Sequence, residues 1–289
     1  MRIFSVVVLF NPDLDNVKSL ICSLVRQSCE VVIVDNSPQP NTVIELDGVH
    51  YQWLGGNKGI AAAQNAGINF SINSGSDYII FFDQDSMVPD GFISNLYKAA
   101  KTSGYRICAP VFFDRDKGYE YPIVNVSKHG IRNKVTSKGD LKNFTTTTAI
   151  SSGTFVNCSV FDDIGLMNED LFIDYVDTEW CLRCAKKGIL IHVIPSAKMV
   201  HAIGDNSIQI LNLRVPVHSA FRRYFRVRNS FKLLRMDAVP TLMAIREMSF
   251  SLIHSMIIIA YNKDRFAHLK YTFWGVVDGI CNKSGGNSH

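Results

Sequence analysis

At 289 residues the chain can bury a sizeable core, as one large domain or as a domain with an extension. With 47% hydrophobic and 19% charged residues it is neither disordered nor fibrous, and a net charge of +4 gives no reason to expect nucleic acid. Seven cysteines, scattered singly apart from Cys181 and Cys184, argue against a disulfide framework, and that pair has no second Cys or His pair beside it to hold a metal.

Strands and helices alternate along the first half. Residues 3–10 read as a strand: Asn11-Pro12 follows at once with no small-residue cleavage site, so no export signal is predicted and a cytoplasmic location is expected. Residues 13–26 carry Leu14, Val17, Ile21 and Leu24 close to helical spacing. Residues 30–35 form a short buried strand ending in Asp35, and 50–54 another. Gly55-Gly56-Asn57-Lys58-Gly59 then leads into an alanine-rich helix reaching about Ile72. The apolar run 78–82 is a strand ending in Asp83-Gln84-Asp85, followed by a helix near 91–101 and a strand near 106–112. This order implies a mostly parallel sheet with right-handed crossovers. The polar, turn-rich stretch 118–148 reads as hairpins or an acceptor-side insertion, 190–194 as a strand, and everything beyond Pro216 as helical. The expected division is residues 1–215 as an α/β domain and 216–289 as a helical region.

Four features carry chemistry. Asp83 and Asp85 stand at the C-terminal end of a central strand, where open α/β sheets bind ligands. Two such carboxylates suit a hard divalent cation that also takes oxygens of a bound diphosphate, although the tripeptide alone equally fits a solvated turn. Asp35 can accept a hydrogen bond from a base N–H or a ribose hydroxyl, or simply cap a turn. The glycines at 55–59 let backbone approach an anion at a helix start, though they match neither G-x-x-x-x-G-K-[ST] nor G-x-G-x-x-G. Finally, Ser151-Ser152-Gly153-Thr154 precedes a run holding Asp174, Asp177, Glu179, Trp180 and Arg183. Asp177, Glu179 and Arg183 open a helix, so dipole partnership and an i,i+4 pair between Glu179 and Arg183 are the bland alternative. His201 falls in a loop beyond the 190–194 strand.

Together and in this order, over roughly residues 3–230, these features resemble glycosyltransferase family 2, the inverting GT-A class of nucleotide-sugar transferases. The carriers are the strand ending at Asn11, Val34-Asp35-Asn36, Gly56 to Gly67, Asp83-Gln84-Asp85, Ser152-Gly153, and Asp177 before Cys181-Leu182-Arg183. The stretches 82–86 and 172–183 resemble the rhamnosyltransferase branch of bacterial surface polysaccharide (O-antigen or capsule) assembly. The resemblance implies an α/β GT-A fold, Rossmann-like and mostly parallel, with a C-terminal helical extension. It implies dTDP-L-rhamnose as donor, a polyprenyl-diphosphate-linked glycan as acceptor, and Mg²⁺ or Mn²⁺. Position by position, Asp35 would contact the base, Asn57 and Gly59 the nucleoside, and Gln84 and Gly153 the donor. Asp83 would meet ribose or metal, Asp85 the metal, and His201 the metal or diphosphate. Asp177 would be the general base. Val176 precedes it where the family usually has an acid, so Asp174 or Glu179 are conceivable substitutes. Trp180, Arg222 and Arg226 fall on the acceptor or supporting side.

Seven lysines and arginines and no acid lie between 214 and 235, among them Arg222, Arg223, Arg226 and Arg228. With Tyr224, Val227 and Phe231 they form a basic amphipathic helix, suited to an anionic membrane surface or to core packing with a solvated face. The thirteen apolar-rich residues 249–261 are too few to span a bilayer and suit core, interface or a homodimer contact. The expectation is peripheral contact with the cytoplasmic face of the inner membrane. The rival readings are another nucleotide sugar as donor, a non-catalytic nucleotide-sugar-binding protein, and a nucleotidyltransferase. For the last, residues 11–25 supply only Lys18 as a phosphate grip.

Overall fold

The computed structural model describes the chain apart from residues 44, 115–117, 201–206, 211–212, 217 and 288, with backbone alone over the rest of 207–216. The first half runs β1 (Ile3–Leu9), α1 (Leu14–Arg26), β2 (Glu30–Asp35), β3 (Val49–Trp53), α2 (Ile60–Asn73), β4 (Tyr78–Asp83), α3 (Phe92–Ser103) and β5 (Ile107–Phe113). Then come β6 (Ile123–Val126), β7 (Arg132–Val135), β8 (Phe144–Thr146), β9 (Phe155–Asn157), α4 (Ser159–Ile164), α5 (Val176–Lys186) and β10 (Ile191–Val200). The chain closes with β11 (Ser207–Ile210), β12 (Leu213–Pro216), α6 (Ala220–Lys232), α7 (Thr241–Tyr261) and α8 (Arg265–Ile280).

Among the described residues the main sheet has the order β3-β2-β1-β4-β9-β5-β10-β8. Pairs β2–β3, β1–β2, β1–β4 and β5–β10 are parallel, while β9 runs antiparallel between β4 and β5, and β8 antiparallel at the edge. The central strands are apolar on both faces because helices cover both: α1 and α3 on one side, α2 and α5 on the other. The approach of α2 is close enough that a Cβ on Gly67 would lie 2.4 Å from Val6 Cγ1, so that position takes glycine. Register sets the site. Leu9 of β1 faces Asp35 on one neighbour, and Val8 faces Asp83 on the other. The two acids therefore end strands two places apart, about 10 Å across the sheet.

The 118–148 stretch holds the expected hairpin, β6 with β7, and delivers β8 to the sheet edge. The strand expected at 190–194 continues to Val200, through a register shift between Ile194 and Lys198 where Pro195 cannot donate to the ladder.

Two expectations for the C-terminal region are corrected. The basic helix, α6, does not present its cations as one open face: Arg223, Arg228 and Lys232 are buried. Lys232 donates to Asn282 and Ser284, and Arg235 to the carbonyls of Gly279 and Ile280, so these cations cap the end of α8. Gly275 and Gly279 let α8 lie directly on α6, since a Cβ on Gly275 would sit 2.9 Å from the Tyr224 carbonyl oxygen. The apolar stretch read as thirteen residues belongs to a 21-residue helix, α7. Among the described residues it is the one helix long and apolar enough to cross a membrane. Leu242, Ile245, Ile253 and Met256 form an exposed stripe along it, matched on α8 by Phe266, Leu269, Phe273 and Ile280.

Candidate active site

Three strand ends and one strained turn build the site. Asp35 is buried at the end of β2 and already well served. Its Oδ1 accepts from Ser37 N at 2.9 Å, and its Oδ2 from Tyr51 Oη at 2.7 Å and from the backbone and side-chain nitrogens of Asn41. Burial alone would raise this carboxyl, but the hydrogen bonds from Ser37, Tyr51 and Asn41 outweigh it and hold it below its ordinary value. Asp35 is thus a fixed anion, with Oδ1 the less occupied oxygen. Tyr51 and Asn41 were not singled out from sequence. Their partner lies up to sixteen residues back, a spacing that carries no motif.

The glycine-rich loop is organised by amides. Asn57 Oδ1 accepts from Asn36 Nδ2 at 3.1 Å and from Gly59 N at 3.0 Å, while Asn36 Oδ1 accepts from Lys58 N at 2.6 Å. Gly59 has φ 90°, and a Cβ there would sit 2.7 Å from both the Phe172 carbonyl oxygen and its ring. Its glycine is thus required by the protein's own backbone at residue 172. Ile60 N at the start of α2 donates to that same Phe172 oxygen at 2.7 Å.

Asp83, the last residue of β4, and Asp85, two residues beyond it, are both exposed. Between them Gln84 bridges two strand ends, accepting from Phe10 N at 2.7 Å and donating to Phe10 O at 3.3 Å. Asp83 N approaches Ser152 Oγ at 3.4 Å, and Ser152 Oγ pairs with Ser86 Oγ at 3.0 Å. Gly153 N donates to Phe81 O at 2.7 Å, and a Cβ on Gly153 would collide with Met199 and Pro110. Ser152 and Gly153 therefore brace the Asp83–Asp85 turn. Among the described residues no three His, Cys, Asp or Glu side chains cluster to hold a metal unaided. Two exposed carboxylates fit a hard cation whose other ligands are diphosphate oxygens and water. His201 lies outside the described residues; the strand before it ends at Val200, which bridges to Met87.

The same 151–154 loop reaches the base candidate. Asp177, in the first turn of α5, accepts from the backbone N–H of Thr178 at 2.7 Å, and the Ser151 N–H lies near enough to favour its charged form. Burial first, then the nearby Asp174 carboxylate, push its carboxyl above the ordinary value, as a general base requires. Glu179, its suggested substitute, belongs to structure: Arg183 Nε holds it at 2.8 Å while the other guanidinium nitrogens bind the carbonyls of Ile164 and Leu166. Trp180 is buried, donating to Gly165 O at 3.0 Å, and so supports α5 from behind. Asp174 pairs with Arg222 at 3.2 Å and Arg226 at 3.7 Å. Arg226 lies over the Tyr175 ring and reaches the buried Glu247, which Tyr175 and Arg132 also bind.

Backbone strain precedes Asp177. Phe172 (φ 62°, ψ −64°) is the centre of a γ-turn, with Ile173 N donating to Leu171 O at 2.7 Å. Asp174 and Tyr175 follow with φ 63° and 66°. Three non-glycine residues in such conformations cost on the order of 1–3 kcal/mol each, and strain of this kind clusters at functional sites.

A model of the family "Glycosyl transferase family 2" matches residues 5–165, more than half of the chain but short of Asp177. The chain is 47% identical to the dTDP-rhamnosyl transferase RfbF of Shigella flexneri, over all of this chain and 98% of that one. It is 24% identical to the low-salt glycan biosynthesis hexosyltransferase Agl10 of Haloferax volcanii, over 97% of this chain and 92% of that protein. Among solved structures, GalNAc-T7 with UDP, GalNAc and Mn²⁺ superposes with a TM-score of 0.53 at 13% identity, over 91% of this chain and 58% of that one. That likeness is one of fold, and it agrees with the α/β, mostly parallel sheet described above. The chain belongs to glycosyltransferase family 2.

Proposed function

We propose that this family 2 glycosyltransferase transfers L-rhamnose, with inversion, from dTDP-L-rhamnose to a lipid-linked glycan in bacterial O-antigen synthesis. The likeness to the Shigella flexneri rhamnosyltransferase over the full length supports the donor and the pathway class. The observation that carries the mechanism is the 151–154 loop, which touches both the Asp83 turn and the Asp177 carboxyl.

In this reading Asp35, through Oδ1, its less occupied oxygen, receives the base N–H, and the Asn57–Gly59 loop lies along the nucleoside. Asp83 and Asp85 would hold a divalent cation, His201 being a further candidate ligand; the cation would supply positive charge beside the leaving diphosphate. The acceptor hydroxyl oxygen attacks the anomeric carbon from the face opposite the diphosphate. As the new C–O bond forms, the bond to the diphosphate breaks and the hydroxyl proton passes to Asp177. Nucleoside diphosphate and glycoside leave, and from a β-linked donor the product is an α-L-rhamnoside. Asp174, paired with Arg222 and Arg226, lies close enough for its charge to raise the Asp177 carboxyl.

The division into a donor-binding and catalytic part, 1–215, and a helical part, 216–289, goes with a membrane role for the second. The apolar stripes of α7 and α8 lie next to exposed Lys263, Arg265 and Lys270, with Asp264 the one acid among them. That combination suits the anionic cytoplasmic face of the inner membrane, where a polyprenyl-diphosphate acceptor resides. One experiment tests both parts: transfer from dTDP-rhamnose, UDP-hexoses and GDP-sugars to a polyprenyl-diphosphate glycan in anionic liposomes, with co-sedimentation of the protein. Transfer from another nucleotide sugar and not from dTDP-rhamnose rejects the donor. Protein that stays in the supernatant, or that instead elutes as a dimer through these helices, rejects the membrane face.

A further inference from the structure

The turn that carries Asp177 is held by a dipeptide more than fifty residues later. In α6, Arg228 and Asn229 are both fully buried, though they are among the most polar side chains the protein has. Asn229 Nδ2 donates to three carbonyls of the strained segment: Leu171 at 2.7 Å, Ile173 at 2.7 Å and Asp174 at 3.2 Å. Its Oδ1 accepts from Arg228 Nε at 3.0 Å and Nη2 at 2.9 Å. The guanidinium therefore fixes which way the amide faces, because only the nitrogen can serve carbonyls and only the oxygen can serve the arginine. Arg228 itself spans from Asp170 O (3.0 Å) and Leu171 O (3.1 Å) to Gly285 O (2.5 Å), tying the turn to the chain beyond α8.

The carbonyls from 170 to 175 are all accounted for. Phe172 O takes Ile60 N of the donor-side helix, Tyr175 O takes Glu179 N within α5, and the Arg228–Asn229 pair takes the other four. A γ-turn and two left-handed residues have no local reason to persist, so they stand where surrounding groups over-determine them. Burying a guanidinium and an amide among apolar rings is costly unless every polar atom is used, and here the use is directed at one turn.

We infer that Arg228 and Asn229 are positioning residues: by clamping the Leu171–Asp174 carbonyls they set where α5 begins and so where the Asp177 carboxylate meets the acceptor hydroxyl. This rests on the reading of Asp177 as base. The donor acids Asp35, Asp83 and Asp85 stand at strand ends held by the sheet ladder, so loosening the clamp moves the base and leaves those acids in place. A displacement of about 1 Å at a reacting group costs on the order of 10²-fold in rate.

The test compares full-length wild type with Asn229→Ala, Arg228→Lys, Asn229→Asp and Asp177→Asn. It reads kcat and KM for transfer, affinity for the nucleoside diphosphate, melting temperature and the pH profile of kcat. The expected result for Asn229→Ala and Arg228→Lys is a fall in kcat of about 10–10²-fold, with diphosphate affinity unchanged within about threefold. Asn229→Asp sets a carboxylate against three carbonyls when ionised, so its kcat relative to wild type at the same pH is expected to recover part of the loss as pH falls and the group protonates, a signature mere destabilisation does not give. Variants that unfold, or that lose diphosphate affinity in step with kcat, overturn the inference in favour of a general structural role. Wild-type kcat in all three clamp variants, with Asp177→Asn inactive, overturns it while leaving the base intact. If Asp177→Asn is itself active, the base assignment fails first, and a loss confined to the clamp variants then belongs to another group on the same turn.

Discussion

The donor-side acids and the base candidate are held in two different ways. Asp35 and Asp83 end strands with ordinary extended backbone, and their separation follows from the register of β1 between β2 and β4. Asp177 begins a helix launched from a γ-turn and two left-handed residues, held by side chains of α6. The proposed binding positions at the sheet edge follow from the fold, whereas the position of the proposed base depends on a few buried polar bonds. The first half should tolerate loss of a neighbour, and the second should lose rate before it loses affinity.

The largest effect expected separates chemistry from binding. Asp177→Asn keeps size and hydrogen bonding but cannot take a proton, so turnover should fall by about 10²–10⁴-fold while donor affinity persists. The pH profile carries the sign. A carboxyl raised by burial and by Asp174 is protonated, and useless as a base, up to a pH above the ordinary carboxylate range. The acidic limb of kcat should therefore lie above that range, and Asp174→Asn, which removes the repelling charge, should move it to lower pH. A limb that stays in place in Asp174→Asn, or full activity in Asp177→Asn, would break the comparison on its catalytic side.

On the donor side, Asp85→Ala should weaken nucleoside diphosphate binding by about 10-fold or more in the presence of Mg²⁺ or Mn²⁺, and EDTA should do the same to wild type. Calorimetric titration checks this, and equal affinity in all conditions would remove the cation from the site. The clamp variants Asn229→Ala and Arg228→Lys supply the contrast, since they should leave this affinity intact.

The legibility of the sequence follows the same divide. Alternating apolar runs and acids at strand ends are local signals, so β1 to β5 and the acids Asp35, Asp83 and Asp85 can be read from the residues. Gly59 and Gly153 can be read as special, but the reason differs: each leaves room for the protein's own chain, Phe172 in one case and Met199 with Pro110 in the other. Arg228 and Asn229 look like part of a basic amphipathic face, because nothing local reveals that carbonyls 55 to 58 residues away require them. The burial of Arg228 and Lys232 follows from the same cause. A helix that must hold a strained turn and cap the end of α8 needs donors on its inner side.

The smallest effect expected comes from Glu179→Gln, and it fixes which acid of the first turn is chemical. Glu179 is buried and engages Arg183, whose other nitrogens hold the carbonyls of Ile164 and Leu166. Burial raises its carboxyl while the Arg183 charge pulls it back, the balance of a structural ion pair. Its second oxygen has no hydrogen-bond partner among the described residues, which leaves it able to accept a proton. Glutamine keeps the oxygen that Arg183 needs and removes the charge, so stability should fall by only about 1–2 kcal/mol. Turnover should remain within about threefold of wild type, against a loss of orders of magnitude in Asp177→Asn. Reversal of that ranking in the same assay would shift the base by two residues along the first turn of α5, to a side chain that the clamped turn does not aim toward Ser151.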